Sequence, residues 1–356
     1  MAQTAIGRLF RCQSCFRQSL ISSRGYSKNA IPSFAPTSST ELDQILNRFR
    51  EELFIPVGLG ARQRRLIFQP KYSEKLEEEP ITVTIGQDEK FQLRPLDPQS
   101  LPRKEEIVQV VSLMKTTKDW QNIIPFLVAM RMSRRFLTQG RWEWLIRKAG
   151  EADSLGIILE LAKQSDKTGL KLREIDIVHR LFFALHQKAQ AADFEGDSMM
   201  KTLSLAKQFA MLMEAPEHIN HNITLDPKRR PFIIGVLLEL SAARALDESE
   251  GRDEGGHVKS YAEKLLASWA PGSFDGKIQD WVRVDRMLQE NVPIWNGIRL
   301  TLQVHGIAGN EALSTSLRNR LQQLSTLIDE QQKLVPEKVK ERPTQGYKQS
   351  LLLYQN

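Results

Sequence analysis

Residues 142–172 read WEWLIRKAGEADSLGIILELAKQSDKTGLKL, and this stretch decides the fold. Leu145-Ile146 and Leu159-Glu160-Leu161 place apolar residues at helical spacing on either side of Ala149-Gly150. The spacing predicts two helices, 141–149 and 153–167, with a connection short enough to make them antiparallel neighbours. The same period continues outward in both directions. Ile107, Val110, Val111 and Met114 form one set; Ile175, Val178, Leu181, Phe182 and Leu185 another; Leu203, Ala206, Phe209, Ala210 and Met213 a third. Further helices are predicted over 103–117, 119–138, 172–191, 198–213, 230–246, 257–269, 278–289, 292–305 and 310–334. Strand signals are scarce across this region. The expectation is a mostly α chain whose body, residues 103–335, is a helical-repeat-like α-solenoid.

The quoted unit carries a resemblance. Leu145-Ile146, Ala149-Gly150, Leu159-Glu160-Leu161 and Lys167-Thr168-Gly169-Leu170-Lys171 resemble one helix–turn–helix repeat of the pentatricopeptide type, within the degenerate pentatricopeptide/tetratricopeptide-like helical repeats of mitochondria. The resemblance covers about one unit. Leu172 stands where the family has proline, and the Gly150-to-Gly169 spacing exceeds the family's. Ala162-Lys163-Gln164 returns weakly as Ala206-Lys207-Gln208. The one-base-per-repeat code of the family finds no aligned positions here, so no base-reading residue is carried over.

Before this body lies an extension, residues 27–102. Pro32, Pro36 and a Ser/Thr cluster mark a linker over 27–40. Thr40 is placed to cap a short helix from Glu41 to Leu53, ended by Pro56. Gly58-Leu59-Gly60-Ala61 reads as a loop. Ile81, Val83 and Ile85 alternate with threonines, a Gly86-Gln87-Asp88-Glu89 turn follows, then Phe91 and Leu93, which predicts a β-hairpin. At the other end, 336–356 is expected to be an extended tail. Its apolar Leu351-Leu352-Leu353-Tyr354 cluster either packs back on the body or enters a partner.

The first forty residues fix an address. They hold Arg8, Arg11, Arg17, Arg24 and Lys28, many serines and no acid before Glu41. This is the composition of a mitochondrial transit peptide over residues 1–26, with Arg24-Gly25-Tyr26-Ser27 resembling a matrix processing site cut between Tyr26 and Ser27. The formal charge is +7, and removing the four arginines of that segment leaves +3. A globally basic nucleic-acid binder is therefore a poor description, and local clusters must carry any RNA contact. Cys12 and Cys15 are the chain's two cysteines and both leave with the transit peptide, so thiolate chemistry and cysteine metal sites are excluded from the mature form. The most apolar stretch, Phe232 to Leu246, is interrupted by Glu239 and Arg244 and is too short to span a bilayer. The expected location is the mitochondrial matrix.

Four places can meet an anion or a partner. Arg62, Arg64 and Arg65 follow the Gly58-Leu59-Gly60 loop, which offers phosphate a cradle or is a plain basic surface. Arg131, Arg134, Arg135, Arg141, Arg147 and Lys148 form the densest basic stretch, interleaved with Trp120, Trp142 and Trp144. Arg131 and Arg135 are expected on one helix face. The tryptophans fit either base stacking or the core. Lys228, Arg229 and Arg230 precede a helix, where cations face an unfavourable dipole. Leu317, Leu321, Leu324 and Ile328 form a seam fit for docking a partner or the chain's own helices. His218 and His221 have spacing that metal sites use, without supporting ligands. No cofactor or metal is implied and no catalytic constellation is found. The leading expectation is a non-catalytic factor of mitochondrial gene expression that binds mitochondrial RNA or the mitochondrial ribosome. Its rival is a protein-interaction scaffold for inner-membrane assembly complexes, such as a respiratory-complex assembly factor.

Overall fold

A computed structural model describes residues 31–85, 89–269 and 280–354. The transit peptide with its Tyr26/Ser27 cleavage site, Cys12 and Cys15, the Gly86–Asp88 part of the hairpin turn and the Pro271-Gly272-Ser273 break lie outside these residues. The described residues are mostly α-helical with one two-stranded antiparallel sheet among them, as the periodicity predicts. Helices of eight residues or more are numbered here: α1 Thr40–Phe49, α2 Ala61–Phe68, α3 Ile123–Met132, α4 Gln139–Glu151, α5 Leu155–Lys163, α6 Ile175–Gln190, α7 Gly196–Leu212, α8 Pro231–Asp247, α9 His257–Ser268, α10 Trp281–Thr301, α11 Glu311–Lys333 and α12 Gln345–Leu353. Two compact units result. One runs to Thr138 and includes Gln164–Gly169; the other holds Gln139–Lys163 and Leu170 onward. The sequence places its boundaries at 102 and 335 instead. Neither divides the units, because Ile107–Leu113 packs on α1 and α12 packs on α10.

In the first unit the segment expected to be a linker is, from residue 31 onward, built into the core. Phe34 lies 6.4 Å from Phe126 and 6.5 Å from Phe54, centroid to centroid, and Phe49 meets Phe126 edge-on at 4.9 Å. Ala35 exchanges two hydrogen bonds with the Asn122 side chain, at 2.8 and 3.0 Å. Ser39, one residue before the expected Thr40, caps α1. The helix does not stop at Pro56. It loosens into a π-helical turn, Arg50–Phe54, and resumes over Ile55–Gly58 with Pro56 in a first-turn position where its missing N–H costs nothing. The strands β1 Thr82–Ile85 and β2 Glu89–Gln92 pair Val83 with Phe91, and Ile85 and Leu93 join Ile55, Leu59, Ile67 and Leu76 in a small core.

In the second unit α8 is buried on nearly every side, from Phe232 to Ala245, as a helix apolar all round must be. Its main partner is α10. The two backbones approach closely at paired glycines: a Cβ on Gly297 would stand 2.9 Å from the Gly235 carbonyl, and one on Gly235 would overlap Ile294. The break expected between 289 and 292 is absent. Pro293 sits inside α10, so one continuous helix replaces the two predicted ones. Pro293 removes one backbone bond and is itself buried, so tertiary packing overrides the local signal.

The tail is helical rather than extended. Glu337–Glu341 and α12 fold back, and α12 is fixed on α10. Asp285 of α10 accepts from the Tyr347 N–H at 3.0 Å and from the Thr344 hydroxyl, and so caps the N-terminus of α12 from another helix. Tyr354 packs edge-on to Trp295 at 5.1 Å and donates to the Ser325 carbonyl.

Candidate nucleic-acid interface

Arg62, Arg64 and Arg65 lie on α2, not in a loop. Ile67 of this helix is buried in the small core with Leu66 and Phe68 beside it. Arg62 and Arg65, three apart, therefore occupy the opposite face. All three arginines are exposed, and none meets an acidic side chain among the described residues. The helix has no acid in its first turn to offset the dipole. The result is a short helix with three unneutralised guanidiniums.

The second basic stretch divides. Arg131, Arg134 and Arg135 belong to the first unit; Arg141, Arg147 and Lys148 belong to the second. The shared face expected for Arg131 and Arg135 does not form, because α3 ends at Met132. Arg134 takes a left-handed conformation (φ 57°), and the Arg135 N–H returns to the Met130 carbonyl at 2.9 Å, closing a Schellman cap. Arg131 turns inward: its guanidinium covers Phe136 at 5.6 Å and lies where a Cβ on Gly169 would be. Gly169 itself needs its φ of +88° to end the Ser165–Thr168 turn. Arg134 and Arg135 carry no ion pair among the described residues.

The cations of α4 are occupied. Arg147 and Lys148 both bind Glu151, at 2.8 and 2.7 Å, and Arg141 lies over the Trp144 ring at 5.6 Å. Trp142 and Trp120 are core residues, 5% and 1% exposed, which leaves Trp144 as the half-exposed one. Lys228 pairs with Glu214 at 3.1 Å, Arg229 leans on Asp226 at 3.7 Å, and Arg230 donates to the Thr224 carbonyl.

The leucine seam is used within the chain. Leu317, Leu324 and Ile328 are fully buried and Leu321 half-buried, with α11 packed on α10. These residues are not left for a partner, because the amphipathic face they form is the one α10 covers. His218 is also structural: its Nδ1 accepts from the Leu172 N–H at 3.0 Å and its Nε2 faces the Ala162 carbonyl at 3.1 Å. Burial holds its pKa below the usual histidine value, so it stays neutral for these bonds. His221 is exposed, and no group of three or more metal-ligating side chains occurs among the described residues.

Two polar constructions escape sequence reading. Glu239, His186, Asn296 and Gln349 are buried and come from four helices, α8, α6, α10 and α12. The Gln349 amide donates to His186 Nε2 at 2.6 Å and to Gln190, so His186 carries its proton on Nδ1 and donates to Glu239 at 2.6 Å. Asn296 donates to the other carboxylate oxygen at 2.6 Å and accepts from Arg299 at 2.8 Å. Every partner is satisfied, and the network locks the helices in register. The second construction is Asp119, fully buried, which accepts from Ser38 N–H and hydroxyl and from the N–H groups of Lys115 and Thr116. Spacing alone gives no sign of either, since the partners lie up to 163 residues apart.

The class defined by these features is a helical scaffold with buried polar locks and separate displayed arginines, and no helix among the described residues is long and apolar enough to cross a membrane. Comparison with known proteins names the family. Residues 17–356 match the family model of the mitochondrial ribosomal protein mS27, and the chain belongs to this family. It is similar to the small ribosomal subunit protein mS27 of Neurospora crassa, 25% identical over 261 residues. That match covers 67% of this chain and 65% of the relative, so the chain spans just under two thirds of the relative's length. Membership of a mitochondrial ribosomal protein family places the chain in the mitochondrial matrix.

Proposed function

We propose that the chain is a non-catalytic structural component of the small subunit of the mitochondrial ribosome, holding ribosomal RNA through α2 and the Arg134–Arg135 corner. The observation that carries this reading is the family match over residues 17–356. The three unpaired guanidiniums of α2 supply the chemistry, since a cation with no acidic partner gives its full charge to a phosphate. The His186–Glu239 pair is sealed from solvent and serves packing rather than proton transfer. No observation favours the inner-membrane assembly scaffold. A remnant helical repeat at 142–172 is supported in part: α4 and α5 flank a tight turn at Asp153 with φ 51°, whereas α5 stops at Lys163, short of the expected 167, and Gln164–Gly169 belongs to the first unit.

Gradient sedimentation of a tagged chain from mitochondria tests the reading. Co-migration with the small ribosomal subunit is expected, and it is lost when Arg62, Arg64 and Arg65 are all replaced by Glu. Replacing Arg147 and Lys148, already paired to Glu151, leaves it intact. Migration with an inner-membrane complex instead would overturn the proposal.

A further inference from the structure

The second unit contains a cavity of about 320 Å³ between α6, the start of α8 and the middle of α10. This lies within the size range of small-ligand sites. Ile175, Ile233, Ile294 and Met287 are among the apolar residues that line it. The polar lining is His179, Arg230, Glu290 and Asn291, and Phe232 and Trp269 also line the cavity. His179 is 3% exposed, yet neither of its ring nitrogens has a hydrogen-bond partner. Glu290 stands 3.4 Å from its Nε2 without hydrogen-bond geometry. The buried Asn291 Nδ2 is also unpartnered. Leaving such groups unpaired is destabilising. Ser241, Trp281, Gln289 and Gln331 of this unit each hold one unpartnered buried atom as well; His179 differs in that both of its ring nitrogens are unpartnered.

The chemistry of the wall indicates what completes it. Burial, then Arg286 and Arg180, hold the His179 pKa well below its usual value, so the ring is neutral and presents one donor and one acceptor. The Asn291 amide adds a donor and the Glu290 carboxylate an acceptor. An imidazole nitrogen, an amide N–H and a carboxylate beside an aromatic ring are groups that can pair with the edge and plane of a nucleobase. Phe232 already lies 4.7 Å from the His179 ring, tilted by 34°. At the mouth, Arg230 precedes α8, a helix of 17 residues whose N-terminus no side chain caps. Pro231 has no N–H and the Ile233 N–H already donates to the Arg230 carbonyl at 3.1 Å, so the Phe232 N–H and the Arg230 guanidinium are the donors this terminus offers a phosphate.

We propose that this cavity binds one nucleotide, its base against His179, Asn291 and the Phe232 ring, its phosphate at Arg230 and the start of α8. The source is a free mononucleotide or one residue turned out of an RNA strand. The test is calorimetric titration of the purified full chain with AMP, GMP, CMP and UMP, with ribose 5-phosphate and inorganic phosphate as base-free controls, and with a single-stranded RNA tetranucleotide. At least one mononucleotide binds with Kd below about 1 mM and raises the melting temperature, and the base-free controls bind at least about tenfold more weakly. His179→Phe and Asn291→Leu each weaken binding about tenfold or more, while the free variants melt no lower than the parent because an unpaired group is gone. Tetranucleotide binding about tenfold tighter than the mononucleotide assigns the site to RNA; equal binding assigns it to a free nucleotide. Silence from every nucleotide at millimolar concentration overturns the proposal, as does undiminished binding by both variants or equal binding of ribose 5-phosphate. Replacing Arg62, Arg64 and Arg65 leaves nucleotide binding unchanged, and His179→Phe leaves sedimentation unchanged, so failure here is distinct from failure of the ribosomal reading.

Discussion

Asp119 is the point at which the N-terminal segment is fastened to the first unit, and replacing it by Asn isolates what its charge contributes. Four donors converge on its carboxylate: the Ser38 N–H at 2.8 Å, the Ser38 hydroxyl at 2.8 Å, the Thr116 N–H at 2.9 Å and the Lys115 N–H at 3.1 Å. Burial by itself pushes the pKa up, but the hydrogen bonds from Thr116 and Ser38 together outweigh it and hold the carboxyl at about 2. Against an unfolded value near 3.9, a folded value near 2 corresponds to about 2.5 kcal/mol. The folded pKa is the lower one. This stability is therefore present above about pH 4 and is lost as pH falls from about 4 toward 2. Asn keeps one acceptor oxygen but turns an NH2 toward N–H donors, so the loss at neutral pH is about 2–3 kcal/mol. Urea unfolding followed by far-UV circular dichroism at pH 7, 4 and 2.5 measures it. The parent-minus-variant difference is largest at pH 7 and shrinks toward pH 2.5. A variant within about 0.5 kcal/mol of the parent at pH 7, or a difference that does not shrink with acid, refutes the reasoning.

Arg134→Gly removes a cation but relieves a left-handed non-glycine residue, so the melting temperature rises by the equivalent of about 1 kcal/mol while ribosome retention falls; a drop in both contradicts the cap geometry. Asp285→Ala uncaps α12 and costs about 1–2 kcal/mol, with earlier proteolysis of the C-terminal helix as the specific sign; unchanged proteolysis rules out the cap. Gly297→Val drives a side chain into the Gly235 carbonyl and the Glu239 N–H, so the second unit fails to fold; soluble, cooperatively melting protein contradicts the close crossing.

How much was legible follows from how far each signal reaches along the chain. The buried positions Leu145, Ile146 and Ala149 of α4 and the core position of α8 are readable, because apolar periodicity is local and burial follows it; Trp142, open between stacking and core by sequence, is settled by its burial. The hairpin was readable for the same reason. The break placed between 289 and 292 does not form, because the α8–α10 interface that holds one continuous helix through Pro293 is not a local signal. The tail at 336–356 looked extended because its helix start is supplied by Asp285, some sixty residues upstream. The segment at 31–39 looked like a linker because its partners, Asp119, Asn122 and Phe126, lie more than eighty residues away. At the candidate site, sequence density located the basic residues but could not assign their acids. Arg147 and Lys148 share Glu151, whereas the α2 arginines share none.

On the proposed RNA-binding reading, that last difference ranks the two clusters. Lys and Arg residues are not equivalent sources of affinity, because a cation already held by a carboxylate must break that pair before it neutralises a phosphate. By density alone, Arg131–Lys148 ranks first. By pairing, it falls behind α2: Arg131 is folded over Phe136 and Gly169, Arg141 over Trp144, and Arg147 and Lys148 onto Glu151. Each phosphate neutralised contributes about 0.7–0.9 to the slope of log K against log salt. Replacing Arg62, Arg64 and Arg65 by Gln should therefore lower the slope for ribosomal RNA by about 2–3, while Arg147→Gln with Lys148→Gln changes it by less than about 1. The opposite ranking would place the RNA contact on α4 and show that Glu151 is displaced when the complex forms.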